Sequence, residues 1–564
     1  MALLGLVGFT TAPANVAVKW PDSVFTVGTL NGTQAPKGHA FTAVQQAVDA
    51  AESWAQENTP AGGQPPATYV LVAPGDYKTT LLDNAPSGAP PAGVFITEPN
   101  LWLVGMNRNS VIVDGTKSGP PCSTSTTDQN FGTGGSGLNG IMVWKAAGVW
   151  VENLTACNFL AGTASGGTGN EIWWNGGANS GKVNPGTGYW GEYLTATSTY
   201  FDKEATAAQY GIFSSNWNGG LWDHTYASNF NDSGYYIGAC QQECNQTVDD
   251  AWAEYSALGY SGSNSGGRLL VEKSQFDQNE DGFDTNSQNG DNPPPQNGAC
   301  PPGVSPPTIP GVTTPVTTCW VFYDNYVHDN NNPNVPTAGS AAAGPVGTGM
   351  SLSGARNDTV IDNTFENNGA WGTILVPYPD SGSPCTGGTM TPDGTCIFDE
   401  FGDAIIDNGY AHNGFFGNPT NGDIGAVNFE PGPTDCFHGN QDENGLTTSP
   451  PLAQLLYPAC TGLTVPPDAN ALFTDEVACD SGSITLIGPV QGSTLCPPTA
   501  NYPRQKKVEM HALPGATAGT WNGQSVPAIE NPSSATELTT DTNPCFNGSG
   551  VRTVPANPWC PAAA

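Results

Sequence analysis

The chain has 564 residues and carries 50 acidic against 15 basic side chains, a formal charge of −35. A surface this acidic repels nucleic acid and anionic membranes, which excludes both as partners; an acidic polysaccharide stays possible only through a metal ion or a local basic pocket. With 72 glycines and 49 prolines the composition favours short strands and turns over helices, and no run approaches the ~20 apolar residues of a membrane span.

At the start, ALLGLVGF (Ala2–Phe9) followed by TTAPANVA reads as the rear of a signal peptide over residues 1–16; a buried first strand is the alternative. The cysteines point the same way. They number 14, an even count, with no CxxC and only 6 histidines, so disulfides in a secreted, extracellular protein are favoured over zinc. The expected local pairs are Cys240/Cys244, Cys300/Cys319, Cys385/Cys396, Cys436/Cys460, Cys479/Cys496 and Cys545/Cys560. In HAFTAVQQAVDAAESWAQEN, Phe41, Val44, Val48, Ala51 and Ala55 recur at spacings of three and four, which predicts one helix. Strands follow at Thr68–Tyr77, Val94–Gly115 and Gly140–Phe159, each a β-branched or aromatic run broken by Gly, Asn or Asp.

The middle of the chain repeats. QYGIFSS, SGYYIGA, LGYSGSN and DGFDTNS align on Gly211, Gly234, Gly259 and Gly282, spaced by 23, 25 and 23 residues, and TGMSLSG and WGTILVP align on Gly349 and Gly372, 23 apart. Between them VEKSQFDQN, VFYDNYVHDN, VIDNTFENN and IIDNGYAHN repeat an apolar strand, a polar residue, an aromatic and an Asn. A period near 23 with three short strands per turn is that of a stacked all-β solenoid. On these residues the chain resembles right-handed parallel β-helix repeat proteins of the pectate-lyase-like superfamily. The resemblance implies that the helix caps the open core, that the repeated Asn side chains stack as ladders, and that the β-helix with its cap spans residues 17–430. Residues 431–564, rich in Pro, Gly and Cys, are expected to wrap the last coils and cover the exposed end.

Strand alternation assigns the residues after each aligned glycine to faces. Positions one and three (Ile212, Tyr235/Ile237, Phe283/Thr285, Met350/Leu352, Thr373/Leu375) point into the core. Positions two and four (Phe213/Ser215, Tyr236/Gly238, Ser261/Ser263, Asp284/Asn286, Ser351/Ser353) form a shallow, polar outer strip. Such a strip suits sugar rings, so Tyr236, Ser261, Ser263, Asn286, Ser351, Ser353 and Arg356 are the candidate substrate-binding residues, with an ordinary wet sheet surface as the alternative.

QNEDGFDTNS places Glu280 and Asp281 in a turn and Asp284 on the strand that follows, a hard-oxygen set suited to calcium (Ca2+). The spacing resembles the Asp-Asp-Gly-aromatic-Asp motif of family-nine pectate lyases, in which calcium binds the substrate uronate and a lysine removes its C5 proton. The chain departs from that pattern twice: Ala257 and Leu258 stand where a further calcium aspartate is expected, and Ser351 where the lysine is expected. Lys273, Arg268 or Arg356 would have to act as the base, and Asp324 offers a carboxylate two coils from Asp284, within the ~6.5–9.5 Å that inverting hydrolysis needs. LWDHTY around His224, and Asp249-Asp250, have matching residue types but no companions in sequence. The expected function is recognition or cleavage of extracellular polysaccharide, by calcium-assisted lyase chemistry with Asp284, Lys273 and Asp324 as catalytic candidates. The alternative is a non-catalytic adhesive or structural β-helix.

Overall fold

The computed structural model describes residues 19–79, 85–162, 167–177, 188–203, 206–240, 243–290, 295–337, 344–381, 384–460, 462–467, 470–480, 501–511, 538–547 and 551–561. The expected signal segment 1–16 and the pairing of Cys479 with Cys496 lie outside them.

Each aligned glycine is the second residue of a strand, and consecutive strands stack in parallel with the register the alignment implies. Ile212 faces Tyr235, then Tyr260, Phe283, Met350, Thr373 and Ile424 up one column of an 11-stranded sheet. The glycines are fixed by close approach. A Cβ on Gly211, Gly234, Gly259, Gly282 or Gly349 would lie 2.3–2.9 Å from the carbonyl oxygen of the next glycine up the stack. No side chain fits there without moving backbone. Tyr260 and Phe283 stack inside at 4.1 Å, and the whole inward column is fully buried.

Two further parallel stacks complete each coil, meeting at a corner residue held in the left-handed region. His224, Asp250, Lys273 and Asp324 occupy that corner on successive coils, with φ of 52°, 49°, 48° and 52°. The result is a right-handed parallel β-helix, as the sequence implies. Its repeated asparagines form two internal ladders. In one, the Oδ1 of Asn363 accepts from the backbone N–H (2.9 Å) and Nδ2 (3.0 Å) of Asn325, and Asn408 does the same for Asn363. In the other, Asn279, Asn330, Asn368 and Asn413 are linked likewise. Each ladder satisfies backbone donors that a turn would otherwise bury unpaired.

The helix Val44–Asn58 covers the first coils, burying Val44, Ala47, Val48, Ala51 and Ala55, as its periodicity predicts. The stack runs past the expected end at residue 430, through Cys436–His438 and Gln441–Asp442 to Thr448–Ser449. The last coil is closed by Ala453 with Leu446 and Tyr457. Here the structure corrects the expectation for the C-terminal region, which does more than wrap that end. Lys506 donates from its backbone to Asn334, His511 stacks on Tyr255, and Leu538 packs on Tyr226 and Trp252. Further on, the Arg108 backbone donates to Thr540, and Trp559 meets Trp20. The segment therefore returns along the outside of the helix to the first coils. It is held there by hydrogen bonds to coil asparagines, Asn229 to His511 and Asn153 to Thr540 and Asp541, and by ring contacts.

Five expected disulfides are present: Cys240–Cys244, Cys300–Cys319, Cys385–Cys396, Cys436–Cys460 and Cys545–Cys560. A sixth, Cys122–Cys157, joins residues 35 apart, and nearness in sequence could not reveal it because the partners belong to different coils. Among the described residues no helix is long and apolar enough to cross a membrane.

Candidate functional site

The outer face of the 11-stranded sheet changes character along the axis. On the early coils, alternation turns Trp144, Trp173, Phe213 and Tyr236 outward on four successive strands. Trp173 and Phe213 stack at 4.6 Å, and Phe213 meets Tyr236 edge-on at 4.9 Å. These rings, with Tyr210 and Asn175, line a groove of about 340 Å3. The Trp173 indole N–H donates to Ser215 Oγ (3.0 Å), which fixes the ring plane. At the rim the exposed Lys145 ammonium lies 4.6 Å from the Trp144 ring centroid. Aromatic faces with a few fixed polar groups are what a sugar ring needs for stacking and hydrogen bonding.

On the next coils the face becomes polar but not shallow. Ser261, Ser263, Asn286, Ser351 and Ser353 are all buried, and Asp284 is 6 % exposed. The expected open strip is therefore covered. Gly344, in the long connection before Thr348–Ser353, lies against Asp281. On the last coils Phe473 of the helix Ala471–Asp480 and Tyr502 pack over Trp371 and Ile374. Strand alternation reports only which face a side chain takes, so it gives no sign of loops folding over that face.

Beneath this cover Asp284 is tied down. Its Oδ1 accepts from Ser351 (2.6 Å) and Ser353 (2.7 Å), and its Oδ2 from Asn286 (2.6 Å). Burial raises its pKa while those three donors pull it back. Asp281 is held well above the usual carboxylate range by burial and by the charge of Asp284, and Ser351 Oγ also reaches it at 3.4 Å. Asp232, two coils earlier and beside Tyr210, is pushed up to about 7 by burial. Calcium requires six to eight converging oxygens. Here both oxygens of Asp284 are already engaged by the Ser351 and Ser353 hydroxyls and the Asn286 amide, which hold that carboxylate within the protein.

The remaining candidates lie elsewhere. Lys273 and Asp324 sit at the corner between the other two stacks, not on the face of Asp284. Lys273 pairs with Asp249 at 3.3 Å. Burial lowers its pKa, but Asp249 and Glu272 outweigh that and hold the proton more tightly, the opposite of what a base requires. Two coils before Lys273, His224 is clasped between Asp223 (Nδ1, 2.6 Å) and Asp250 (Nε2, 3.0 Å). Burial disfavours its charged form, yet the two carboxylates win and raise its pKa. These three residues form the group, among those described, whose metal-ligating atoms all lie within 4.8 Å of one another. Both ring nitrogens already face carboxylates, an arrangement that suits a charged imidazolium. Arg356 lies against Phe401 and donates to the carbonyls of Asp399 and Gly387, so it does not reach the groove.

Of the expected substrate residues, then, Tyr236 alone lines the groove. Trp144, Trp173 and Phe213 complete it. The signal for them was available: EIWWN aligns with QYGIFSS, Ile172 opposite Ile212, which turns Trp173 outward.

No protein-family model matches the chain, and no curated protein matches it. Among solved structures it is similar to the A-module of mannuronan C-5 epimerase AlgE4 from Azotobacter vinelandii, at TM-score 0.39 and 11% identity over 70% of this chain and 90% of that one. It is also similar to the Dettilon tailspike protein (TM-score 0.36, 15% identity, 76% and 68% covered). A third similar structure is the catalytic unit of a GH87 alpha-1,3-glucanase from Streptomyces thermodiastaticus (0.32, 11%, 80% and 73%). The fold assignment itself rests on the strand stacking described above.

Proposed function

We propose that this is an extracellular polysaccharide-binding β-helix whose sugar subsite is the aromatic groove of the early coils. The observation that carries the reading is the 340 Å3 groove walled by Trp144, Trp173, Phe213 and Tyr236. Ring positions fixed by strand register and by the Trp173–Ser215 bond reduce the ordering cost of binding. Six disulfides among the described residues agree with an oxidising, extracellular setting. The Lys145 ammonium at the rim gives an otherwise acidic protein a local attraction for uronate groups.

The test is affinity electrophoresis against polygalacturonate, alginate and neutral glycans. Trp173→Ala is expected to weaken binding about tenfold, a loss of roughly 1.4 kcal/mol. Lys145→Ala should weaken the uronate polymers more than the neutral ones. Unchanged retardation in Trp173→Ala on every glycan bound would overturn the reading. Cleavage is a second reading, favoured by one observation: burial, with the charge of Asp284 adding to it, pushes Asp232 up to about 7. Two carboxyls of unlike proton affinity are the usual requirement for glycoside hydrolysis. Release of reducing ends that stops in Asp232→Asn would support it, and no release from any glycan removes it.

A further inference from the structure

Three lysines of this acidic chain are paired with carboxylates: Lys78 with Asp76 and Asp114, Lys273 with Asp249, and Lys507 with Glu509. Lys145 is placed differently. Its backbone turns the corner after Trp144 at φ 56°, and its N–H donates at 2.9 Å to the carbonyl of Asn175 on the next coil. The ammonium is exposed and lies 4.6 Å from the Trp144 ring centroid. Among the described residues no carboxylate pairs with it.

The groove beside it is uncharged. None of the described residues that line it is an acid or a base, in a chain with 50 acidic side chains. Asp232, bonded to Tyr210 of the groove, keeps its proton up to about 7 because it is buried. Gly177 brings Lys145 to this wall. It lines the groove, its N–H donates to Asn175 Oδ1 (2.9 Å), and its carbonyl accepts from Asn216 Nδ2 (3.1 Å), so two amides fix it. A Cβ at Gly177 would fall on Lys145 Cε and lie 2.9 Å from Nζ, and the φ of 109° is one that side chains rarely adopt. The lysine stem therefore occupies the space that a side chain at 177 would take.

We propose that the groove selects a sugar carrying an anionic substituent, with Lys145 receiving the charge and Gly177 determining that selectivity by leaving the lysine its place. The inference rests on the groove being the sugar subsite and names what that subsite takes. A carboxylate and a sulfate ester present the same chemistry to an ammonium, negatively charged oxygen acceptors. The aromatic walls stack on the face of any sugar and supply affinity, whereas Lys145 supplies the preference. An ion pair this exposed to water is worth about two- to fivefold in affinity.

The test measures binding of the full chain to two matched polymer pairs, polygalacturonate against its methyl ester and a sulfated galactan against its desulfated form. It is run in ~0.15 M salt, where repulsion from the rest of the acidic surface is screened beyond about 8 Å. Wild type is expected to prefer the charged member of at least one pair about two- to fivefold, and the pair that shows it tells carboxylate from sulfate. Lys145→Gln, which keeps the stem and removes the charge, should abolish the preference, and Lys145→Arg should retain it. Gly177→Ala should abolish it too; should that variant fail to fold, Lys145→Gln still decides the matter, since it leaves the backbone as it is. A preference that survives Lys145→Gln or a folded Gly177→Ala overturns the inference. A wild type that binds through Trp173 without preference in either pair also overturns it and leaves the groove standing as a sugar site. No binding to any of these polymers, or binding unchanged in Trp173→Ala, removes both.

Discussion

Replacing Asp232 by Asn tests how this fold carries its buried acid. Asp232 is 5 % exposed, and its Oδ2 accepts from the groove-lining Tyr210 at 3.0 Å. Burial lifts its pKa from 3.8 to about 7, against the pull of its hydrogen-bond donors. A carboxyl with a raised folded-state pKa costs nothing below the unfolded value. Its penalty grows as pH rises from about 3.8 to about 7 and is complete above that. Held over that interval, one proton is worth about 4 kcal/mol at ~1.4 kcal/mol per pH unit, an upper figure because water entry relaxes buried charges. Asp232→Asn keeps an acceptor for Tyr210 and removes the charge. It should therefore be about 2–4 kcal/mol more stable than wild type at pH 8 and nearly equal at pH 4. Urea unfolding at a series of pH values measures the difference directly. Parallel wild-type and variant curves, or a wild type that gains stability between pH 4 and pH 8, would refute the reasoning.

Gly282→Ala should cost at least about 1–3 kcal/mol, since the new methyl would sit 2.5 Å from Gly349 O, and a chemical melt indistinguishable from wild type would disprove the close-approach account. Asn363→Ala removes the acceptor for two donors of Asn325 and should cost about 2–4 kcal/mol in the same assay; a loss below about 0.5 kcal/mol would mean the ladder contributes little. Deleting residues 538–561 strips Leu538 from Trp252 and Trp559 from Trp20. It should broaden the thermal transition and expose the first coils to protease, and an unaltered digestion pattern would count against it.

How much the sequence disclosed depended on the range of each signal. The Gly211-to-Gly372 phrase encodes register because one carbonyl approaches each glycine, a constraint repeated coil by coil and so visible as a period. Asn279 and Asn363 were legible for the same reason. The fate of Asp284 was not. Its neighbours Ser351 and Ser353 could be placed by alignment, but Gly344 reaches this face from a connection with no periodicity. Nothing in the sequence argues for Lys273 over Arg268 or Arg356 as the base, and the corner geometry pairs it with Asp249. Cys122–Cys157 and the returning C-terminal segment were hidden alike, since each joins places far apart in the chain.

The contact between Trp20 and Trp559 brings residues more than 500 positions apart to one pole of the rod, with ring centroids 6.0 Å apart. A load applied between those two points passes through that contact and the Cys545–Cys560 loop instead of peeling coils from the stack. A partner or surface joined near either of these residues holds the molecule by the same pole. The groove then lies close to the anchorage.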